Sequence, residues 1–219
     1  MSEAISVAFD ESMNGFVAFG PPLDYQEGFA RGKEDETRCG VALTITVPDI
    51  AIFTTDPKTE ARAEGHVLCP LLGGACVIER GTFNLLVGVI PHRPAIKDMR
   101  YRLVFRTPSG RLMTLVGVKF VDDDGIFHMW RDTTTLYTKI FEGEVAPADE
   151  HTAVPAATGI LRLRPLPFAR QLLSFRSNGP TLLSRLVAIF RFVKLFAARL
   201  WQVYGPKFLQ ARTGSSSSL

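Results

Sequence analysis

Met99-Arg100-Tyr101-Arg102-Leu103-Val104-Phe105-Arg106, then Thr107-Pro108-Ser109-Gly110, then the run from Arg111 through Leu115, Gly117 and Lys119 to Val121: this stretch decides the fold class. Tyr101, Leu103 and Phe105 fall on one face, with Arg100, Arg102, Val104 and Arg106 on the other. That is the period of two that sends successive side chains to opposite sides of a strand. Thr107 to Gly110 is a turn sequence, and the run beyond it is again rich in β-branched and apolar residues. The whole reads as an antiparallel hairpin.

Outward from this hairpin the chain repeats the pattern. CGVALTITV from Cys39, ARAEGHVLC from Ala61, ACVIERGTFNLLVGV from Ala75, FHMW from Phe127, TTLYTKIFEG from Thr134 and TGILRLR from Thr158 are all short strand-like runs. Asp122 to Gly125 supplies another turn sequence, and Leu72-Gly73-Gly74-Ala75 reads as a turn between strands. No helical stretch separates these runs, which excludes a parallel sheet built from βαβ units. Consecutive hairpins have to close or fold over to protect their edges. The expected fold is mainly β: an antiparallel β-barrel or strongly curved sandwich, lipocalin-like in general shape, of roughly eight to ten strands. Strands around Ile5 to Phe9 and Gly15 to Phe19 are expected to join it, and Pro21 to Arg38 to form an exposed loop.

The β domain is assigned to residues 1–164, a C-terminal helical appendage to 165–209 and a disordered tail to 210–219. The appendage is expected to begin as a short helix at Pro165 or Pro167, broken by Ser177 to Pro180. A long helix from Thr181 to Tyr204 follows, stopped by Gly205-Pro206. That helix is apolar on almost every side, yet Arg185, Arg191, Lys194 and Arg199 interrupt it. Each would cost about 2.5–3.5 kcal/mol at a bilayer centre, which disfavours a spanning helix. Packing over the sheet or a partner subunit, or lying in a membrane interface with its cations reaching lipid headgroups, remain as its roles.

Net charge is +3, but it is unevenly distributed. Glu150 is the last acidic residue, and ten cations follow it with no carboxylate, so the first 150 residues carry a net −7. A cationic segment on an acidic body either folds back on its own domain or faces an anionic partner. Cys39, Cys69 and Cys76 form no C-x-x-C pair, which argues against a disulfide framework or a thiolate zinc site. With no secretory signal at the N-terminus, the expected compartment is cytoplasmic, with membrane association through 181–204.

No nucleophile elbow, phosphate loop, dinucleotide-binding glycine motif or zinc-protease helix occurs. His66, His92, His128 and His151 lack metal-ligand spacing, so no metal and no cofactor is expected. The aromatics of the basic C-terminal helix form an apolar helical surface rather than a stacking platform, against nucleic acid as a partner. One segment stands out: Trp130-Arg131-Asp132-Thr133-Thr134-Thr135-Leu136-Tyr137, one hairpin beyond Lys119. Asp132 there can pair with Lys119 across the sheet, with Trp130 and Tyr137 as apolar walls, or it can brace a tight turn by capping backbone amides.

The string W-R-D-T-T-T-L-Y carries a resemblance, together with Phe9-x-Glu11-x-Met13-x-Gly15, Gly81-Thr82-Phe83-Asn84-Leu85, Met99 to Leu103, Gly117-Val118-Lys119 and Phe168 to Leu172. Over most of residues 5–205 the chain resembles an accessory domain attached to cholesterol-oxidase-like flavoproteins of the glucose–methanol–choline oxidoreductase family, and found near α/β-hydrolase modules. The flavin-binding motif and the hydrolase elbow are absent, so the resemblance implies no oxidase chemistry and no catalytic residue. It implies an apolar ligand or an apolar partner.

Two functions follow as expectations, beside a purely structural role that a solid core would support. The first is binding of an apolar polycyclic molecule, sterol- or terpenoid-type, inside the barrel, with Phe83, Phe105, Phe120, Phe127 and Trp130 as lining and an oxidoreductase or a second copy of the chain as partner. Phe141 is a further strand phenylalanine available as lining. The alternative is a cofactor-independent cyclase or isomerase acting on such a molecule, with Lys119, Asp132, Tyr101 and Tyr137 as the catalytic groups.

Overall fold

The computed structural model describes residues 4–88, 97–121, 133–163 and 173–213. Eight antiparallel strands close into a barrel: β1 (Val7–Phe19), β2 (Arg38–Val47), β3 (Glu60–Cys69), β4 (Gly74–Gly88), β5 (Lys97–Arg106), β6 (Leu112–Val121), β7 (Thr135–Glu142) and β8 (Ala157–Arg162). Each strand pairs with the next, and β1 closes the ring by pairing with both β2 and β8. It does so by length. Its first part, Val7 to Phe16, lies along β2, and its last part, Asn14 to Phe19, lies along β8. The two N-terminal strands expected from sequence are thus one continuous strand. A two-residue strand, β9 (Arg176–Ser177), pairs with Val7 and Ala8. Closure rather than a sandwich is the solution, because it leaves no long edge open to another chain.

The hairpin of β5 and β6 pairs Met99 with Lys119, Tyr101 with Gly117, Leu103 with Leu115 and Phe105 with Met113. Its turn closes through Thr107, whose amide donates to the Arg111 carbonyl and whose Oγ1 accepts from the Arg111 amide. The alternation seen in the sequence is therefore the division between barrel interior and outer wall. Inward residues such as Val41, Ile45, Ala63, Val67, Leu103, Leu115 and Leu161 are fully buried.

Pro21 to Arg38 departs from the expected loop, because Tyr25–Glu34 is helix α1. Asp24 caps it, its carboxylate accepting from the amides of Gln26 and Glu27. The residues of this helix that are buried against the barrel are Gly28 and Gly32, flanked by the half-buried rings of Tyr25 and Phe29. A Cβ at either glycine would overlap the carbonyl of Thr158 or Val17, so backbone meets backbone there. A helix that docks on glycines leaves no apolar period to read. A short helix α2 (Ile50–Thr55), capped by Asp49, buries Ile50 and Phe53 at one end of the barrel.

Helix α3 (Leu182–Thr213) lies at that same end. It passes through Gly205-Pro206, where the sequence predicts a stop, and extends to Thr213, inside the segment 210–219 expected to be disordered. Proline removes one backbone bond and crowds one carbonyl, which a helix already nucleated can survive. Among the described residues no helix is long and apolar enough to cross a membrane. The short helix expected at Pro165 or Pro167 begins outside the described residues.

Candidate functional site

Three strands carry a glutamate, a tyrosine and a lysine into a largely apolar interior. Glu11 takes the inward place between Phe9 and Met13 on β1, Tyr101 follows Met99 on β5, and Lys119 follows Leu115 and Gly117 on β6. They meet. The Glu11 carboxylate accepts from Lys119 Nζ at 2.7 Å through one oxygen and from the Tyr101 hydroxyl at 2.7 Å through the other. Lys119 Nζ also stands 5.1 Å from the centre of the Tyr101 ring. Exposure is 4 % for Glu11 and 2 % each for Lys119 and Tyr101. Burial, reinforced by the charge and hydrogen bond of Glu11, raises the Tyr101 phenol well above its ordinary range, so it remains a proton donor.

A desolvated ion pair is a poor way to stabilise a fold, since well-packed apolar groups of similar volume do as well or better. Grouped titratable side chains in a dry interior instead mark candidate sites. The neighbours of this trio are aromatic. The Phe83 ring lies 4.8 Å from that of Tyr101, and Phe9 lies edge-on to Phe83 at 6.5 Å. Beyond them Phe9, Phe53, Phe175 and Phe192 stack in a cluster with centroid spacings from 5.1 to 5.9 Å. This cluster joins β1 to α2, the segment before β9, and α3. Arg199 fixes α3 over the same end by donating to the carbonyls of Leu85 and Leu86 and to Thr59 Oγ1.

Of the residues singled out in the sequence, Lys119, Tyr101 and Phe83 come together here. Phe105 is also interior, but farther along β5 beside Met113, toward the opposite end. Phe120 and Tyr137 are not interior. With Lys119 inward, period two sends Phe120 to the outer wall, where it is 40 % exposed. Tyr137 pairs with the outward Val118 and packs its ring 5.2 Å from Phe120 and 5.4 Å from Tyr25 of α1. Phe141, paired with Thr114, also faces outward although it is buried. Phe127, Trp130 and Asp132 lie outside the described residues, and so does the choice between brace and ligand cluster. The carboxylate that the described structure places on Lys119 is that of Glu11.

Glu11 was not singled out as a site residue. Its signal was present: an acid on the apolar phase of an alternating strand, Val7, Phe9, Glu11, Met13. Lys119 breaks the phase Met113, Leu115, Gly117 in the same way.

Two other features lie apart from this trio. At the opposite end of the interior Cys39, Cys69 and Cys76 are buried free thiols. Hydrogen bonding with Cys39 draws the Cys69 thiol down to about 7, and the same contact raises Cys39 well above its ordinary value. Among the described residues no cluster of potential ligands could hold a metal. On the outer wall an open groove of about 660 Å³ has Asp10, Glu11, Thr44, His66, Ser174 and Arg176 among its lining residues. Its charges are already engaged, as Arg176 donates to both Asp10 oxygens at 2.9 and 3.0 Å.

These features define a closed eight-stranded antiparallel barrel, capped by helices at one end, with an ion pair and a phenol buried beneath the cap. Comparisons with protein family models, with curated proteins and with solved structures find no match to the chain.

Proposed function

We propose that the capped end of the barrel binds an apolar small molecule bearing at least one oxygen function, with Glu11, Lys119 and Tyr101 as its polar anchor. The observation that carries this reading is the trio itself: a charge pair and a protonated phenol in mutual contact, almost wholly removed from water, among phenylalanines. Binding sites for small molecules combine such walls with a few convergent polar groups. An ammonium has more donors than Glu11 uses, so Lys119 can give a hydrogen bond to a ligand oxygen without leaving its partner. The rigid aromatic surfaces of Phe9, Phe83 and Tyr101 suit a fused-ring skeleton, hence a sterol- or terpenoid-type ligand. What supports an oxidoreductase as the recipient of that ligand is the sequence resemblance alone.

The same trio supports a second reading, a cofactor-free cyclase or isomerase. A carboxylate, an ammonium and a phenol in a dry site can hold and relay a proton while the barrel holds the substrate in a reactive conformer. In that case Lys119 or Tyr101 polarises a substrate oxygen and Glu11 takes up the proton released.

Equilibrium titration of the purified chain with a hydroxylated or keto polycycle and with its parent hydrocarbon tests the proposal. The expected result is saturable 1:1 binding with a clear preference for the oxygenated compound. Equal binding of both would remove the trio from the site, and absence of binding would remove the site. Conversion of the bound compound to an isomer, with no flavin or metal added, would establish the second reading.

A further inference from the structure

The outer face of α3 is apolar where a surface helix would be polar. Ala188 and Phe192 turn toward the barrel and are buried. On the other side Leu182, Leu183, Leu186, Phe190, Val193 and Trp201 are between 46 % and 73 % exposed. At 3.6 residues per turn these six, with Val187, fall within an arc of about 140°, roughly opposite the buried face. The stripe runs roughly 28 Å along the helix. Exposed Lys194 lies within one edge of this arc and exposed Arg191 just beyond that edge, and neither makes an ion pair among the described residues. Among the other cations of the helix whose side chains are described, Arg185 donates to the Gly179 carbonyl and Arg199 to the Leu85 carbonyl of β4.

We propose that this face docks on an anionic lipid surface, with α3 lying in the plane of the interface. The pattern is that of an interfacial helix: an apolar stripe to enter the acyl boundary, basic residues beside it for headgroups, and tryptophan at one end. Charge decides between lipid and the same helix of a second copy. From His151 onward no carboxylate exists to meet Arg191 and Lys194, so helix against helix would set cations beside cations. An anionic bilayer supplies the missing counter-charge. The proposal stands on the outer face alone and does not depend on the ligand reading. Its consequence for that reading is that docking brings the phenylalanine-capped end of the barrel next to the phase in which an apolar ligand resides.

Sedimentation of the full chain with phosphatidylcholine vesicles, with and without phosphatidylserine, is the test. Two double variants accompany it, Leu186→Ser/Phe190→Ser and Arg191→Ala/Lys194→Ala, all four positions being exposed. The wild type should pellet with the phosphatidylserine vesicles and be released by salt. Losing both cations should weaken this binding about 30-fold, and losing the two apolar groups should weaken it at least tenfold on the scale of area removed from lipid. Unchanged circular dichroism and melting in both variants should accompany the losses. No binding by the wild type, or binding indifferent to both variants, overturns the proposal. So does a dimer that forms without lipid and dissociates on Leu186→Ser/Phe190→Ser.

Discussion

Replacing Lys119 by Met leaves the Glu11 carboxylate in the barrel interior with only the Tyr101 hydroxyl for support. The side chains of the pair are 2 % and 3 % exposed, so water cannot take the place of the lost ammonium. Removing one member of such a pair costs about 3–5 kcal/mol. For a chain of this size each kcal/mol lowers the melting temperature by about 2–4 °C, so Lys119→Met should fall by about 6–20 °C. Removing both charges behaves differently. Glu11→Leu/Lys119→Met restores an apolar interior and should lie close to the wild type or above it. Its remaining defect is the Tyr101 hydroxyl, which loses its acceptor at a cost of about 1–3 kcal/mol, and adding Tyr101→Phe should recover that loss. Thermal and urea unfolding followed by far-ultraviolet circular dichroism report all three. A Lys119→Met protein melting within about 1 °C of the wild type would refute the reasoning, as would a double variant less stable than the single one.

Other consequences follow from the same contacts. Because burial and Glu11 raise the Tyr101 phenol above its ordinary 10.0, the folded state keeps a proton that the unfolded state releases. That contribution to stability is complete below the ordinary value and is lost as pH rises beyond it; one tyrosine should therefore ionise only with unfolding in an absorbance titration, and Tyr101→Phe should lessen the alkaline loss. Asp24→Ala removes the cap of α1 and should cost about 0.5–2 kcal/mol in urea unfolding. Phe192→Ala takes the α3 ring out of the phenylalanine cluster and should cost about 3–5 kcal/mol.

How much of this was legible depends on the distance over which each feature is decided. The β5–β6 hairpin was readable because its alternation, its turn and its register are local, and the placement of Tyr101 and Lys119 on the interior phase follows from them. The partner of Lys119 was not, since Glu11 lies 108 residues away and is brought to it only by closure of the barrel. Phe120 and Tyr137 were drawn into the site by their aromatic character, although the phase of Lys119 already placed Phe120 outside. Helix α1 is hidden in the sequence because its closest contacts are made by Gly28 and Gly32 rather than by a period of leucines, and the end of α3 because Gly205-Pro206 carries the signature of a helix stop. The amphipathic ambiguity of α3 was visible in the sequence, but only the structure shows that one apolar face caps the barrel while the other remains outward.

The central claim is that the buried trio anchors a ligand. Because Glu11→Leu/Lys119→Met is expected to fold, it separates anchoring from stability. Calorimetric titration of this variant and of the wild type with the same oxygenated polycycle is the most direct measurement. A hydrogen bond to a charged group contributes about 1.5–3 kcal/mol, so the account predicts binding about tenfold to a hundredfold weaker in the variant. Equal affinity in the two proteins would contradict it.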